Sequence, residues 1–423
     1  MSKLDWNMVS SDVAILRELA AKLRRLADSD VNRRRIELWY ALDEGREHRP
    51  LILAETDGGL NMILPDWKPR CREPWAQGQE HGLVARIAHH EIIGDDSPIE
   101  PFVGVGWAIE RGTFGVERHL TNPDTSGTRG AYHIDAVVTL PEGLETLHHR
   151  PCRHDRDKTL AVLDTLGGIY DGLLGVRPRQ NPWWTLGLTG EAIMLIGLEN
   201  LMMYMYDQPD ALHGLMALLR DDNIAFVQWL QREGLLTFNN QDDYCGSGSR
   251  GYTRTLPQPD LPAGQPPRSR DLWTLLESQE TVGVGPGQYG EFIFPYEAAI
   301  AREFGRVYYG CCEPVHTRWD VLQHMPNLRR VSVSPWCDEP FMAAALGNTL
   351  VYSRKPNPSM VSTARFDDDA IRQDLRTTMT LTRRHGCSTE IVMKDVHTLH
   401  NEPDRLTRWV GLAREVSREV YGE

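Results

Sequence analysis

The N-terminal part of the chain has hydrophobic residues spaced as on one face of a helix. Over residues 10–28 they recur at intervals of three or four positions, which predicts an amphipathic helix. They are Val13, Leu16, Leu19, Leu23 and Leu26. A second helix is predicted from about residue 32 to residue 43. We interpret both as an N-terminal helical extension, residues 1–45, that covers the core or contacts a second subunit.

Farther along the chain, short apolar runs alternate with helical patterns. Strands are predicted near residues 51, 99, 184, 236, 307, 331, 350 and 390. Strands that alternate with helices in this way form parallel βα units. Eight units predict an α/β fold, a (β/α)8 TIM barrel over residues 46–423 with insertions near 112–150 and 241–285. An open doubly wound sheet is the alternative, because the strand near residue 99 is weakly marked.

Composition fits an ordinary globular protein and excludes several functional classes. Charged residues make up 25% of the 423 positions and hydrophobic residues 41%. The net charge of −13 argues against a nucleic-acid surface and against docking on anionic lipid. No apolar run is long enough to span a membrane, and the N-terminus lacks a signal-peptide pattern. With seven scattered cysteines, we expect a cytoplasmic protein with reduced thiols.

The ends of the predicted strands supply the candidate site residues. In a barrel, residues that follow the carboxyl ends of the strands surround the active site. The candidates selected in this way are Glu55, Asp242, Asp243, Cys311, Cys312, Glu313, Trp336, Arg354, Lys355, Lys394, Asp395 and His397. Acids, thiols, cations and an imidazole would therefore meet on one face.

Two adjacent cysteines, Cys311 and Cys312, follow one predicted strand directly. Thiolates, carboxylates and imidazoles are ligands of zinc, which keeps an open position in catalytic sites. We therefore predict a metal site with Cys311, Cys312, Glu313 and His397 as ligands, Cys312 being the leading one. The alternative is that both cysteines are small buried hydrophobes, since no CxxC pattern accompanies them.

Four polar residues are candidates for acid/base catalysis. Asp242, Asp243, Lys394 and Asp395 could donate or accept protons at the barrel mouth. The alternative is structural: the first pair could cap a loop, and the second pair could be an ion pair that holds the rim. The glycine-rich stretch 244–251 that follows is interpreted as an adaptable loop whose N–H groups could meet an anion.

Four further residues are candidates for substrate binding. Two adjacent cations, Arg354 and Lys355, suit an anionic substrate group, although they could also be solvated. Glu55 and Trp336 lie at the ends of two other predicted strands. A small-molecule substrate is the partner that this set implies.

A predicted helix near residues 78–93 carries a cluster that resembles a metal site. It contains His81, His89, His90 and Glu91. Adjacent residues on a helix point about 100° apart, so His89 and His90 cannot face one ion together. We interpret the cluster as a solvated or packed helix face.

Several stretches resemble one known family. They are Gly197-Leu-Glu-Asn-Leu-Met-Met-Tyr-Met-Tyr-Asp-Gln-Pro209, Asn240-Gln-Asp-Asp243, Phe292-Ile-Phe-Pro-Tyr296, Tyr309-Gly-Cys-Cys-Glu-Pro314 and Lys394-Asp395. Together, from about residue 35 onward, the chain resembles the uroporphyrinogen decarboxylase (URO-D) superfamily, which includes the cobalamin-linked methyltransferases. The resemblance implies a (β/α)8 barrel and an enzyme that acts on a methyl donor or an acidic small molecule.

Two departures from the family pattern affect the predicted reaction. Uroporphyrinogen decarboxylases carry an early Arg-Gln-Ala-Gly-Arg type segment that holds substrate carboxylates, but the matching residues 53–60 contain no arginine. The methyltransferase branch has His-x-Cys where this chain has Tyr309-Gly-Cys-Cys, and a cysteine where this chain has Asp395-Val-His397. The resemblance therefore implies a distinct branch in which a zinc site would have a different ligand set.

Three functional hypotheses follow. The first is a metal-dependent methyltransferase or demethylase that acts with a thiol acceptor or with a corrinoid carried by a partner protein. The second is a metal-free carboxy-lyase for an acidic small molecule, using Asp242, Asp395, Arg354 and Lys355. The third is a non-catalytic protein that binds a corrinoid. A homodimer is compatible with all three.

Overall fold

A computed structural model describes residues 6–46, 49–118, 120–121, 133–180 and 182–422. Its centre is a six-stranded parallel sheet. In spatial order the strands are β1 (Leu51–Ala54), β14 (Thr389–Met393), β13 (Val351–Arg354), β12 (Leu328–Val333), β11 (Arg306–Tyr309) and β10 (Trp273–Leu276). Both faces of the sheet are covered, since β1, β10, β13 and β14 are buried along their whole length.

The remaining strands form small two-stranded sheets. They are β2 (Phe102–Val105) with β7 (Gly175–Pro178), β3 (Ala108–Arg111) with β6 (Cys152–Asp155), β4 (Leu120–Thr121) with β5 (His133–Ile134), and β8 (Tyr244–Gly246) with β9 (Ser249–Arg250). Only β2 and β7 of this group pair in parallel. The segment before β2 reaches the edge of the central sheet, where the Asp96 N–H donates to the Ile52 carbonyl at 2.9 Å.

Helices surround these strands. In chain order they are α1 (Ser10–Ala27), α2 (Asp30–Glu44), α3 (Pro74–Ala88), α4 (Arg156–Tyr170), α5 (Thr189–Ile196), α6 (Leu198–Asp207), α7 (Pro209–Arg232), α8 (Pro286–Phe292), α9 (Phe294–Ala301), α10 (Trp319–Leu322), α11 (Glu339–Leu346), α12 (Ser359–Ser362), α13 (Asp368–Arg384) and α14 (Arg405–Tyr421). The apolar face of α1 is buried in a cluster shared with α3 and α4. No described helix is long and apolar enough to cross a membrane.

The α/β class and the parallel strands are confirmed, and most predicted elements are present. Predicted strands near residues 51, 307, 331, 350 and 390 correspond to β1 and β11–β14. The strand predicted near residue 99 is β2, which begins at Phe102. The covering role predicted for the N-terminal helices agrees with Trp39, which is buried against Leu51 and Leu53. Closure of the strands into a barrel and the domain boundaries stay predictions.

Two predicted strands are wrong, and one strand of the central sheet was missed. Residues 182–188 contain no described strand, although the Leu186 N–H donates to the Leu275 carbonyl of β10 at 3.0 Å and Gly187 lies close to the backbone of Glu277. Residues 235–240 bond through side chains instead of a ladder: Asn239 bonds to both polar backbone groups of Trp273. The missed strand is β10, which follows the proline-rich stretch 255–270. Of the predicted insertion 112–150, residues 119 and 122–132 lie outside the described part.

The hairpin β8–β9 is packed inside the strands instead of forming an adaptable surface loop. Ser247 and Ser249 are fully buried. A Cβ at Gly246 would lie 2.4 Å from the Tyr308 ring, and one at Gly248 would lie 2.7 Å from Val392. Glycine is therefore required at both positions to let the hairpin approach the strands. The same packing fixes Arg250, the last residue of β9.

Candidate active site

The chain leaves β11 through a glycine that decides where the two cysteines point. Gly310 has φ of +96°, and a Cβ there would lie 3.2 Å from both Ser332 and Val315. Only glycine tolerates this combination of left-handed backbone and close packing. After this turn, Cys311 is 5% exposed and packs inward, whereas Cys312 is exposed.

The ends of β11 and β14 together form a group that we call the thiol cluster, consisting of Cys311, Cys312, Lys394 and Asp395. The two sulfur atoms lie 3.6 Å apart. Asp395 Oδ2 lies 3.8 Å from the Cys312 sulfur and 2.6 Å from Lys394 Nζ. Lys394 Nζ is also 4.0 Å from the Cys311 sulfur. The structure thus brings together four of the residues that the sequence predicted.

The thiol cluster favours a thiolate at Cys312. The contact between the two thiols lowers the pKa of the Cys312 thiol, and the Lys394 ammonium lowers it further, against the effects of burial and of the Asp395 carboxylate. The pKa of Cys311 is raised, so its proton stays in place as the donor. Burial lowers the pKa of Lys394, but the thiols and Asp395 outweigh this effect and keep the amine charged. An ammonium beside a thiol is a recognised way to activate the sulfur as a nucleophile.

Cys312 opens onto a cavity of about 560 Å³. Its walls include Gln279, Glu280, Val282 and Pro314, and Trp336 stands on the rim with 66% of its surface exposed. The predicted substrate-binding residue Trp336 therefore lies beside the predicted leading thiol. The cavity is large enough for a small molecule to reach the sulfur.

The described residues do not fit the predicted zinc ion. Both oxygens of Glu313 accept backbone N–H groups, from Cys311 at 2.8 Å and from Ser278 at 3.1 Å. His397 is exposed, and no group of three described His, Cys, Asp or Glu side chains is arranged to hold a metal. The cation among the sulfur and carboxylate atoms is instead Lys394. Zinc binding stays a prediction that this geometry does not support.

Glu55 and Lys355 lie at the carboxyl ends of two strands, Glu55 directly after β1 and Lys355 directly after β13. Burial raises the pKa of Glu55, and Arg250, Lys394 and Lys355 partly offset this rise. Burial lowers the pKa of Lys355 to about 8. Its ammonium group donates to Ser353 Oγ at 2.6 Å. Glu55 is therefore within electrostatic reach of both the thiol cluster and Arg250.

The two predicted aspartates have different surroundings. Burial raises the pKa of Asp242 to about 7, although Arg250 opposes the shift with its Nε 3.5 Å from Asp242 Oδ1. Asp243 instead pairs with Arg179, which also pairs with Glu100. Asp242 is thus suited to proton transfer, whereas Asp243 belongs to a structural ion-pair network.

Arg354 is not brought to the site. Its guanidinium contacts Glu339 at 2.7 Å and Asp374 at 3.4 Å, which belong to α11 and α13. Neighbouring strand residues point to opposite faces, so Arg354 faces the helices while Lys355 faces the interior. The structure therefore gives Arg354 a structural role in place of the predicted contact with substrate.

Sequence reasoning missed two residues near the site, His89 and Arg250. His89 is interior, with Nε2 3.0 Å from Asp95 Oδ2. Asp95 is fully buried and also accepts the Ala54 and Ser97 N–H groups. The interpretation of a packed helix face was correct for His89, but no local signal indicated its carboxylate partner. For Arg250, the only signal was a cation that follows a glycine-rich turn.

A buried carboxyl group behind the site gives a pH-dependent prediction. Glu297 is fully buried, accepts the Tyr309 hydroxyl at 3.0 Å, and has its pKa raised by burial to about 8. Unfolding therefore releases a proton between about pH 4.5 and pH 8, and stability falls as pH rises through this window. Glu297→Gln should be more stable than wild type at pH 8, by on the order of 3 kcal/mol, and equal to it near pH 4.

Urea unfolding at the two pH values measures this difference. Glu199→Gln, at an exposed position in α6 that forms no ion pair with a described residue, is the matched control and should leave the pH dependence unchanged. An equal effect of Glu297→Gln at both pH values would show that the carboxyl does not hold its proton in the folded state.

Comparison with known proteins supports the fold. No protein-family model matches the chain, and no curated protein matches it. Among solved structures, 22 chains match. One is a methyltransferase from Methanosarcina mazei, with a TM-score of 0.50 and 11% identity, covering 91% of this chain and 98% of that one. At this identity the likeness establishes a shared fold only.

Proposed function

We propose that this chain is a methyltransferase-like enzyme whose reaction centre is the thiol cluster. The observation that carries the proposal is the position of Cys312. Its sulfur lies 3.6 Å from the donor thiol and 3.8 Å from Asp395, beside the Lys394–Asp395 ion pair, and opens onto the 560 Å³ cavity. The fold shared with a methyltransferase supports the reaction class.

The same proposal includes a barrel. The central sheet and the β2–β7 pair together contain eight parallel strands. Two contacts support their closure. At one end, Asp96 joins the segment before β2 to β1. At the other end, residues 237–239 connect β7 to β10: Thr237 Oγ1 bonds to the backbone of Gln180 after β7, and Asn239 bonds to β10. In a closed barrel, the thiol cluster would lie at the carboxyl ends of the strands, where such enzymes place their active sites.

The residues of the thiol cluster have distinct roles in the proposed reaction. The Cys312 thiol loses its proton to solvent, and the hydrogen bond from Cys311 and the charge of Lys394 stabilise the thiolate. The thiolate attacks the methyl carbon of the donor; a sulfur–carbon bond forms, and the electron pair of the broken bond stays on the donor. Asp395 holds Lys394 in place. The acceptor that completes the cycle would be a thiol or a corrinoid-carrying partner protein.

Methyl transfer to the protein tests this proposal. Wild type is incubated with ¹³C-methylcobalamin, and its peptides are analysed by mass spectrometry. We expect one labelled methyl group on the Cys312 peptide, none in Cys312→Ser, and normal labelling in Cys337→Ser, which removes a half-buried thiol near the site. Label that is absent from every cysteine, or that persists in Cys312→Ser at wild-type yield, would contradict the proposal.

Metal analysis separates this reaction centre from the predicted zinc site. Protein purified without chelators should contain well below one zinc per chain, because Lys394 already supplies the positive charge beside the sulfur atoms. About one zinc per chain that disappears in Cys312→Ser would establish a metal-bound thiolate instead.

Asp242 favours one alternative function, a carboxy-lyase for an acidic small molecule. A carboxyl group whose pKa is about 7, next to Arg250, can hold or release a proton at neutral pH. This alternative predicts that carbon dioxide release from an acidic substrate is lost in Asp242→Asn and retained in Cys312→Ser. The opposite pattern would rule it out.

A further inference from the structure

Arg250 is a largely buried arginine whose guanidinium group lacks hydrogen-bonding partners in the described part of the chain. Its side chain is only 22% exposed, and its nearest carboxylate contact is the 3.5 Å approach of Nε to Asp242 Oδ1. The Nε atom is buried and makes no hydrogen bond to a described residue. Leaving a buried guanidinium N–H donor unpaired is unfavourable. The unpaired Nε–H of Arg250 therefore indicates a missing partner.

The guanidinium faces a cavity of about 310 Å³, which we call the Arg250 cavity. Thr56, Arg86, His89, Ser97, Asp242 and Arg250 are among the residues that line it. Two other lining atoms, Ser97 Oγ and Asp242 Oδ1, are also buried without a hydrogen bond to a described residue. Arg250 Nε and Asp242 Oδ1 contact each other only at 3.5 Å, so these two atoms and Ser97 Oγ all lack a good hydrogen bond, as expected of a site that a polar ligand completes.

The charges around the Arg250 cavity favour an anion. Arg86 donates to the backbone carbonyls of Glu100 and Phe102 and forms no ion pair with a described carboxylate. The charges of His89 and Asp95 offset each other, since His89 Nε2 lies 3.0 Å from Asp95 Oδ2. Asp242 and Glu55 are the remaining acids near Arg250, and burial raises the pKa of both, to about 7 for Asp242, which weakens their negative charge. Two guanidinium groups therefore face two carboxyl groups that burial shifts toward the neutral form.

We propose that the Arg250 cavity binds the carboxylate of a small substrate, with Arg250 as its two-pronged partner and Ser97 as a further donor. The planar guanidinium fork matches the two oxygens of a carboxylate. Glu55 links the cavity to the thiol cluster. It directly precedes Thr56 of the cavity wall, and it is within electrostatic range of both Arg250 and Lys394. The proposal rests on the proposed function in one respect: it makes the methyl donor or acceptor a carboxylate-bearing molecule.

Acetate and acetamide, which have nearly the same shape and differ in charge, are the probes. With the full chain at pH 7.5 and constant ionic strength, acetate at about 100 mM should raise Tm by about 2 °C, and acetamide at the same concentration should not. Arg250→Gln should abolish the acetate effect, and Arg250→Lys should weaken it. Arg177→Gln is the control, because Arg177 lies nearby on β7 and bonds to Gln241 at 3.0 Å. It should retain the effect.

The variants also report on folding and on the reaction centre. Arg250→Gln must keep the wild-type circular dichroism spectrum; should it fail to fold, Ser97→Ala replaces it and should weaken the effect of acetate at least threefold. Cys312→Ser should bind acetate normally, so a failed thiol cluster leaves this test intact. No effect of acetate on wild type at about 100 mM, an equal effect in the folded Arg250→Gln variant or an equal effect of acetamide would overturn the carboxylate site.

Discussion

Replacement of Cys312 by serine is expected to lower methyl transfer by at least about a hundredfold, because serine keeps the size of the side chain but cannot form a stable anion at neutral pH. The rate of methyl transfer from methylcobalamin measures this loss. The fold should be unaffected, since Cys312 is exposed. Activity of the serine variant within about tenfold of wild type would contradict the proposed nucleophile.

The neighbouring thiol provides a matched pair of variants. Cys311 donates the hydrogen bond that lowers the pKa of Cys312. Cys311→Ser retains a donor, whereas Cys311→Ala removes it. We therefore expect alanine to move the pH at which Cys312 becomes reactive upward by more than serine does. The same shift in both variants would show that packing, and not the hydrogen bond, controls the thiol.

Arg330→Met is expected to destabilise the fold by about 3–5 kcal/mol, because it removes the buried arginine beside Glu390 and one of the two arginines beside Asp43. Arg330 has no exposed surface. Its Nη1 lies 3.9 Å from Glu390, and its Nη2 lies 3.5 Å from Asp43. Nη1 also donates to Ser249 Oγ at 2.7 Å, so the same side chain anchors the β8–β9 hairpin.

Urea unfolding measures the cost, and two further variants show its origin. Arg329→Met changes the adjacent, partly exposed arginine, which lies 3.7 Å from Asp43, and should cost clearly less. Adding Glu390→Gln to Arg330→Met should recover part of the loss, since it removes one of the unpaired acids. A loss below about 1 kcal/mol in Arg330→Met would mean that water or other groups of the chain compensate the buried carboxylates for the lost cation.

The parts of the fold that could be predicted are those in which the local pattern of apolar and polar residues determines the secondary structure. From residue 306 onward, each apolar run is followed by a helix, and β11–β14 lie where the sequence places them. The runs at 182–188 and 235–240 have strand-like composition, but the first bonds to β10 through the Leu186 N–H without extending into a ladder, and the second bonds to β10 through the side chain of Asn239. The sequence does not show these tertiary contacts.

The candidate site divides in the same way. That Cys312, Lys394 and Asp395 would meet could be predicted, because the carboxyl ends of parallel strands lie at one edge. Which of Arg354 and Lys355 faces inward could not be predicted, because the alternation of side chains along a strand shows only that the two face opposite sides. The position of Arg250 depends on a hairpin packed among the strands, and no local pattern encodes that packing.

Site-resolved methylation by methyl iodide tests most directly whether Cys312 is the reacting thiolate. This small electrophile needs no matching donor site, and the other described cysteines serve as internal controls. Burial raises the pKa of Cys337 and of Cys387. We predict that Cys312 is methylated at least about tenfold faster than either, and that Lys394→Met removes most of this advantage. Methylation of Cys312 no faster than that of Cys337, or unchanged by Lys394→Met, would contradict the proposed reaction centre.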